Sequence, residues 1–142
     1  MKAASVRVFV FGTLKEGFPL HRRGLAQAKF IGLYQTDRSY PMLIAGPWFV
    51  PMMFYEPGVG FRVSGELYEI DSAKLRQLDR LESTGRPGNF RKLIRIVPAR
   101  PGPSCQAFAY FKARFLAVPA HSGYLASYHD RRFIPPWRRP AV

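Results

Sequence analysis

The chain has 142 residues, of which 47% are hydrophobic and 15% aromatic, a length and composition that suit one domain with a real core and exclude a wholly disordered chain. Its charge is lopsided: 22 Lys and Arg against 9 Asp and Glu give a formal +13, which favours encounter with anionic partners without specifying a fold. The one cysteine, Cys105, excludes an internal disulfide, and no stretch approaches the ~20 apolar residues of a membrane-spanning helix.

The basic residues are scattered, with doublets at Arg22-Arg23, Arg131-Arg132 and Arg138-Arg139 and no long run. No RNA- or DNA-binding motif accompanies them, so no dedicated nucleic-acid site is expected. The N-terminal apolar run is short and carries Arg7 after Lys2, a poor secretory leader; a cytoplasmic protein with no membrane association is the expectation.

In chain order, Val8-Phe9-Val10-Phe11-Gly12-Thr13-Leu14-Lys15 reads as a buried strand that runs into a glycine turn. Beyond the strand, the N–H groups of Gly12, Thr13 and Leu14 lose their ladder partners and can form an anion-binding nest, with the Thr13 hydroxyl as a further donor. The plainer alternative is a core strand and its tight turn. Residues 20–28 form a short helix interrupted by Gly24, and residues 30–36 a second strand. Residues 40–47 and 49–55 carry Pro41, Pro47 and Pro51, which confine them to edge strands or extended loops. After the turn at Pro57-Gly58-Val59-Gly60, residues 62–70 read as a longer strand. Asp71 offers an N-cap for a helix over 72–82. Residues 90–97 and 105–112 are strands, and the Pro-, Arg- and aromatic-rich stretch 114–142 is expected to wrap the surface with little regular structure. The sum is an α+β chain with many strands and few helices, read as a single domain over 1–142.

One residue on the helix is out of place. Leu75, Leu78 and Leu81 mark its apolar stripe, and Glu82, four residues after Leu78 and seven after Leu75, falls between them on the same face. Desolvation and the negative end of the helix dipole both raise the pKa of a carboxyl there, which makes Glu82 a candidate general acid/base. Two alternatives stay open: the helix ends early and Glu82 turns to water, or Asp79, at the edge of the stripe, is the acid. Other patterns carry less. Gly58-Val59-Gly60 lacks a third glycine and a following helix, Ser64-Gly65 lacks the glycine of a nucleophile elbow, and His21, His121 and His129 have no partner at metal-ligand spacing.

The Phe11-Gly12-Thr13-Leu14 turn and Glu82 in the helix end Leu78-Asp79-Arg80-Leu81-Glu82, in this order and spacing, resemble the gamma-glutamyl cyclotransferase-like family, in particular its gamma-glutamylamine cyclotransferase and AIG2-like branch. The likeness covers residues 6–112 and includes Tyr40-Pro41-Met42-Leu43-Ile44-Ala45-Gly46, Val50-Pro51, Gly65-Glu66-Leu67-Tyr68 and Ala107-Phe108-Ala109-Tyr110. The resemblance implies a mixed β-barrel flanked by a few helices. It also implies cofactor-independent cyclisation of a small γ-glutamyl amide to 5-oxoproline, with Glu82 as acid/base and no metal. By the same resemblance, Phe11, Gly12, Thr13, Leu14 and Tyr110 would line the substrate site. The chain departs from the family pattern at Phe11, where tyrosine is frequent, and at Phe90, where a hydroxyl-bearing aromatic often stands. A non-catalytic module of the same fold that binds a small carboxylate is the alternative reading.

Overall fold

Alternate side chains leave a strand on opposite faces, so an unbroken apolar run implies a strand between two cores. The computed structural model, which describes residues 5–141, shows this at β1 (Ser5–Val10). Phe9 and the following Phe11 enter one core, while Val8 and Val10 enter a second. Residues 1–4, with the Lys2 of the leader reading, lie outside the described residues.

Strands β2 (Lys29–Thr36), β5 (Ser64–Asp71), β6 (Asn89–Pro98) and β7 (Cys105–Lys112) join β1 in a closed barrel of order β1-β5-β2-β6-β7. Its neighbours are antiparallel except at the seam, where β1 runs parallel to β7 with Val8 opposite Phe108. The mixed α+β barrel expected from the resemblance is therefore the architecture. The two-faced logic recurs around the ring: Ala107, Ala109 and Phe111 of β7 join the Phe9 core and Tyr110 the Val8 core; on β5, Leu67 joins the first and Tyr68 the second.

Two helices cover the second core. The helix expected over 20–28 shrinks to one turn, α1 (His21–Gly24), which packs against the turn after β1. A Cβ on Gly24 would stand 2.6 Å from Leu14 Cδ2, so a larger residue here would have to push that leucine side chain aside. The longer helix, α2 (Ser72–Leu81), starts where expected, with the Asp71 carboxylate accepting from the Lys74 N–H at 2.8 Å. It ends one residue earlier than the pattern predicts. Glu82 caps it, its N–H bonded to the Leu78 carbonyl at 2.8 Å, and Ser83 adopts φ +57° and turns the chain out of the helix. Leu78 is fully buried beneath it, a contribution of about 1.5–3 kcal/mol for such a side chain.

The proline-bearing stretches form a two-stranded ribbon of β3 (Met42–Ala45) and β4 (Val50–Met53), with Ile44 opposite Pro51, outside the barrel sheet. The outer edge of β3 is covered by the C-terminal segment: Gly46 N–H donates to Pro119 O, His121 N–H to Ile44 O and Leu125 N–H to Met42 O. Satisfying an edge in this way removes a site for unwanted strand pairing. Apart from two 3-10 turns, Arg114–Leu116 and Pro136–Arg138, that segment is irregular. It nevertheless places Tyr128, with no exposed surface, in the Phe9 core and Phe133 in the Val8 core. Among the described residues no helix is long and apolar enough to cross a membrane.

Candidate active site

The turn after β1 is fixed through its carbonyls. Gly12 O accepts from Lys15 N–H at 3.0 Å, Thr13 O from Leu20 N–H at 2.9 Å, and Leu14 O from the His21 ring Nδ1–H at 3.0 Å. The Lys15 ammonium reaches the Tyr128 carbonyl at 2.9 Å and ties the turn to the C-terminal segment. By contrast, no protein acceptor among the described residues takes the N–H groups of Gly12, Thr13 or Leu14, or the Thr13 hydroxyl, although all three residues are buried. Buried donors are normally paired, and N–H groups left without a protein acceptor are of the kind that a ligand's oxygen can take. Gly12 has room for no other residue: a Cβ would stand 2.7 Å from Pro51 Cγ of β4.

The three residues line a cavity of about 570 Å³, within the range of small-molecule sites. Phe11, Gly12, Thr13, Leu14, Tyr110 and Glu82, which the sequence singles out, all line it. Its remaining walls come from the β3–β4 ribbon, the loop after α2, the end of β7 and the C-terminal segment. A second hollow, of about 670 Å³ beside β5 and the first turns of α2, holds none of those residues.

Glu82 is half-buried because it borders this opening, while protein surrounds it elsewhere. Desolvation pushes its carboxyl above the ordinary glutamate range, and the positive charge of Lys112 offsets part of that. No hydrogen bond among the described residues engages its carboxylate. Of the alternative reading, the early helix end is what the fold shows, while Glu82 is only partly exposed and lines the cavity. Asp79, the competing acid, is committed elsewhere. It accepts from Arg91 Nε at 2.8 Å and Nη2 at 3.1 Å, and from the Tyr110 hydroxyl at 2.7 Å. Burial pushes the Asp79 carboxyl up, but Arg91 and Tyr110 together outweigh it and hold the group below the usual aspartate range. Burial and the bond to Asp79 in turn raise the Tyr110 phenol. The Tyr110 ring thus forms wall, with its proton already donated.

Sequence reasoning missed the basic side of the cavity. Lys112 lines it from the end of β7, donating to Asn89 Oδ1; burial lowers its pKa, Glu82 raises it, and Arg139 lowers it again. A signal for Lys112 existed, since it lies two residues beyond Tyr110 on one strand and so shares its face. Arg86 and Arg139 also line the cavity, brought there by loops that carry no such periodicity. Phe90 does not line it; its ring stacks on Phe111 at 5.9 Å, so the hydroxyl absent at this position has no counterpart to contact in the cavity wall. Among the described residues no group of three or more His, Cys, Asp or Glu is placed to hold a metal ion.

Fold and site together define a small mixed barrel with a ligand-sized cavity lined by the turn Gly12, Thr13 and Leu14 and by the unpaired Glu82 carboxyl. The model of the family described as gamma-glutamyl cyclotransferase, AIG2-like, matches residues 8–130, and the chain belongs to this family. It is 37% identical to gamma-glutamylaminecyclotransferase of Rattus norvegicus over 132 residues, covering 82% of this chain and 87% of that protein. The Bos taurus protein of the same name is 37% identical over 137 residues, covering 90% of this chain and 81% of the relative. Among solved structures, an AIG2-like protein of Mus musculus superposes with a TM-score of 0.83 at 33% identity, covering 95% of this chain and 99% of that one. The resemblance drawn from the turn and the helix end holds.

Proposed function

We propose that the protein is a γ-glutamylamine cyclotransferase that acts as a single domain, in the cytoplasm, on small γ-glutamyl amides. The observation that carries this reading is that one cavity is lined both by Glu82 and by Gly12, Thr13 and Leu14, whose N–H groups have no protein acceptor among the described residues. The substrate's α-amine attacks its own γ-carbonyl, a C–N bond closes the five-membered ring, and the bond to the leaving amine breaks. The products are 5-oxoproline and the free amine. Nucleophile and electrophile belong to one molecule, so the reaction asks for neither water nor cofactor.

The α-amine arrives protonated and must lose one proton before it attacks and a second, to solvent, once the C–N bond has formed, while the departing nitrogen must gain one to leave as the amine. Glu82 serves both steps: its carboxylate accepts the first proton and its carboxyl returns it, which a carboxyl tuned toward neutral pH does best. The N–H row and the Thr13 hydroxyl hold the substrate's α-carboxylate. A well-placed donor of this kind contributes on the order of 3 kcal/mol where charge develops, and holding the chain bent for ring closure contributes several more. Phe11 and Tyr110 shape the wall around the glutamyl chain.

The test is incubation with γ-glutamyl-ε-lysine and a panel of other γ-glutamyl amides, followed by quantification of 5-oxoproline. Product from at least one is expected. If none is turned over while 5-oxoproline or a γ-glutamyl amide still binds, the chain is instead a carboxylate-binding module of the same fold.

A further inference from the structure

An ammonium taken out of water is costly unless an anion answers it. Lys15 is the least exposed charged residue among those described, at 8%, and it directly follows the N–H row of residues 12–14. No carboxylate lies within ion-pair distance of it among the described residues. Glu66, the one carboxylate whose charge acts on Lys15, already accepts from the Glu16 N–H at 2.9 Å and the Tyr68 hydroxyl at 3.0 Å. Desolvation draws the Lys15 pKa below the ordinary lysine range; Glu66 opposes that shift and Arg131 adds to it.

Packing alone does not call for a lysine here. The ammonium lies over the Phe18 and Tyr128 rings at 5.0 and 5.9 Å, and an apolar side chain of the same length would fill that space without burying a charge. What the ammonium supplies is a tether, its hydrogen bond to the Tyr128 carbonyl at 2.9 Å. Tyr128 has no exposed surface and belongs to the Phe9 core, so the tether ends on a fixed point. The N–H row therefore rests between two supports. On one side the Leu20 N–H and the His21 ring bond to the Thr13 and Leu14 carbonyls. On the other stands Lys15, whose own N–H closes the turn on the Gly12 carbonyl at 3.0 Å. Arg131 secures the far end of the same loop, over Phe18 at 4.1 Å and bonded to the Gly17 carbonyl at 2.7 Å.

We propose that Lys15 is a positioning residue for the substrate's α-carboxylate: tethered to the Tyr128 carbonyl, it holds the Gly12-Thr13-Leu14 N–H row in the arrangement that one carboxylate takes. The proposal rests on the cyclotransferase reading, in which that row receives the α-carboxylate. Lys15 does not line the cavity, so it acts through the turn and touches no reacting atom. Donors held rigid before the ligand arrives bind more tightly than donors that must be ordered by it.

The test titrates the protein calorimetrically with 5-oxoproline and with 5-oxoprolinamide, rings of nearly equal size that differ by one charge. The wild type is expected to favour the acid. In Lys15→Met the affinity for the acid should fall about tenfold while that for the amide changes little. With γ-glutamyl-ε-lysine, KM should rise by a similar factor and kcat should hold within about threefold. The melting temperature should stay within a few degrees, because removing a buried charge and orphaning the Tyr128 carbonyl act in opposite directions. Lys15→Arg, which keeps a charged donor, should fall between the two proteins. A wild type without preference for the acid overturns the proposal, as does equal acid affinity in Lys15→Met. Loss of acid and amide affinity by one factor, or of kcat at unchanged KM, makes the lysine a packing residue and overturns it too. Should Lys15→Met not fold, Lys15→Gln takes its place with the same outcomes. If no γ-glutamyl amide yields 5-oxoproline, the cyclotransferase reading fails on its own, and the titrations, which need no turnover, still decide Lys15.

Discussion

Asp79 and Glu82 stand three residues apart at the end of α2 and occupy opposite surroundings. Asp79 is held by both guanidinium nitrogens of Arg91 and by the Tyr110 hydroxyl, so its charge is fully answered. Glu82 borders the cavity with no hydrogen-bond partner among the described residues and with its carboxyl pushed up by burial. Both sit near the negative end of one helix, so position on the helix does not separate them. What separates them is what the barrel brings up: β6 and β7 deliver Arg91 and Tyr110 to one carboxylate, while Glu82 lines the cavity that the β1 turn also lines.

The largest expected effect breaks this contrast at the bare group. Glu82→Gln keeps the size and removes the proton carrier, and 5-oxoproline formation should fall by about 10²–10⁴-fold. The melting temperature should hold or rise, because a desolvated ionisable group has been neutralised. Equal turnover by this variant would remove Glu82 from the mechanism. Breaking the contrast at the paired group should look different. Asp79→Asn leaves Arg91 without its anion and is expected to cost about 1–3 kcal/mol in denaturant unfolding, with a loss of turnover well short of that in Glu82→Gln. Abolished turnover at unchanged stability would reverse the two roles.

The smallest effect sharpens the contrast through pH, because the two shifts have opposite signs. Asp79 has a folded pKa below its unfolded value. The stability it contributes is present above the unfolded value and is lost as pH falls through the folded one. Glu82 has a folded pKa above its unfolded value, so the folded state binds the extra proton and stability falls as pH rises across the interval between the two. Melting curves measured from acid to neutral pH should therefore lose their upper decline in Glu82→Gln and their acid-limb decline in Asp79→Asn. The kcat/KM profile of the wild type should rise with pH through a midpoint above the ordinary glutamate range. A midpoint at the ordinary value would mean that the cavity leaves Glu82 fully solvated.

The C-terminal segment shows how the strong positive charge is used. Arg131 lies over Phe18 at 4.1 Å, Arg132 over Phe49 at 4.7 Å, Arg23 over Trp137 at 4.0 Å and Arg139 over Trp48 at 5.3 Å. Guanidinium planes on aromatic faces hold irregular chain in place where no sheet or helix can. In composition the same residues look like an invitation to polyanions, and in the fold several of them fasten a strand-free segment across the β3 edge and the cavity wall.

Much was legible because it is local. Strand β1 and its turn follow from a β-branched and aromatic run closed by glycine, α2 follows from its leucine spacing and the Asp71 cap, and β7 was readable to its last residue. Glu82 stood out because periodicity alone puts it on an apolar face. The shortening of α1 to one turn was not readable from the apolar pattern of residues 20–28. Nor was the commitment of Asp79, whose partners stand 12 and 31 residues away in sequence and meet it only when β6 and β7 pair. The sequence by itself determined the family, the strand order of events along the chain, the turn and the one misplaced carboxyl, because each is written in neighbours within a few residues. Tertiary structure alone decided which carboxylate is answered and which is bare, and it alone gathered Arg86, Lys112 and Arg139 around Glu82. Charge is sensed through space, and the distances that matter are set by the closed barrel and the segment fastened across it.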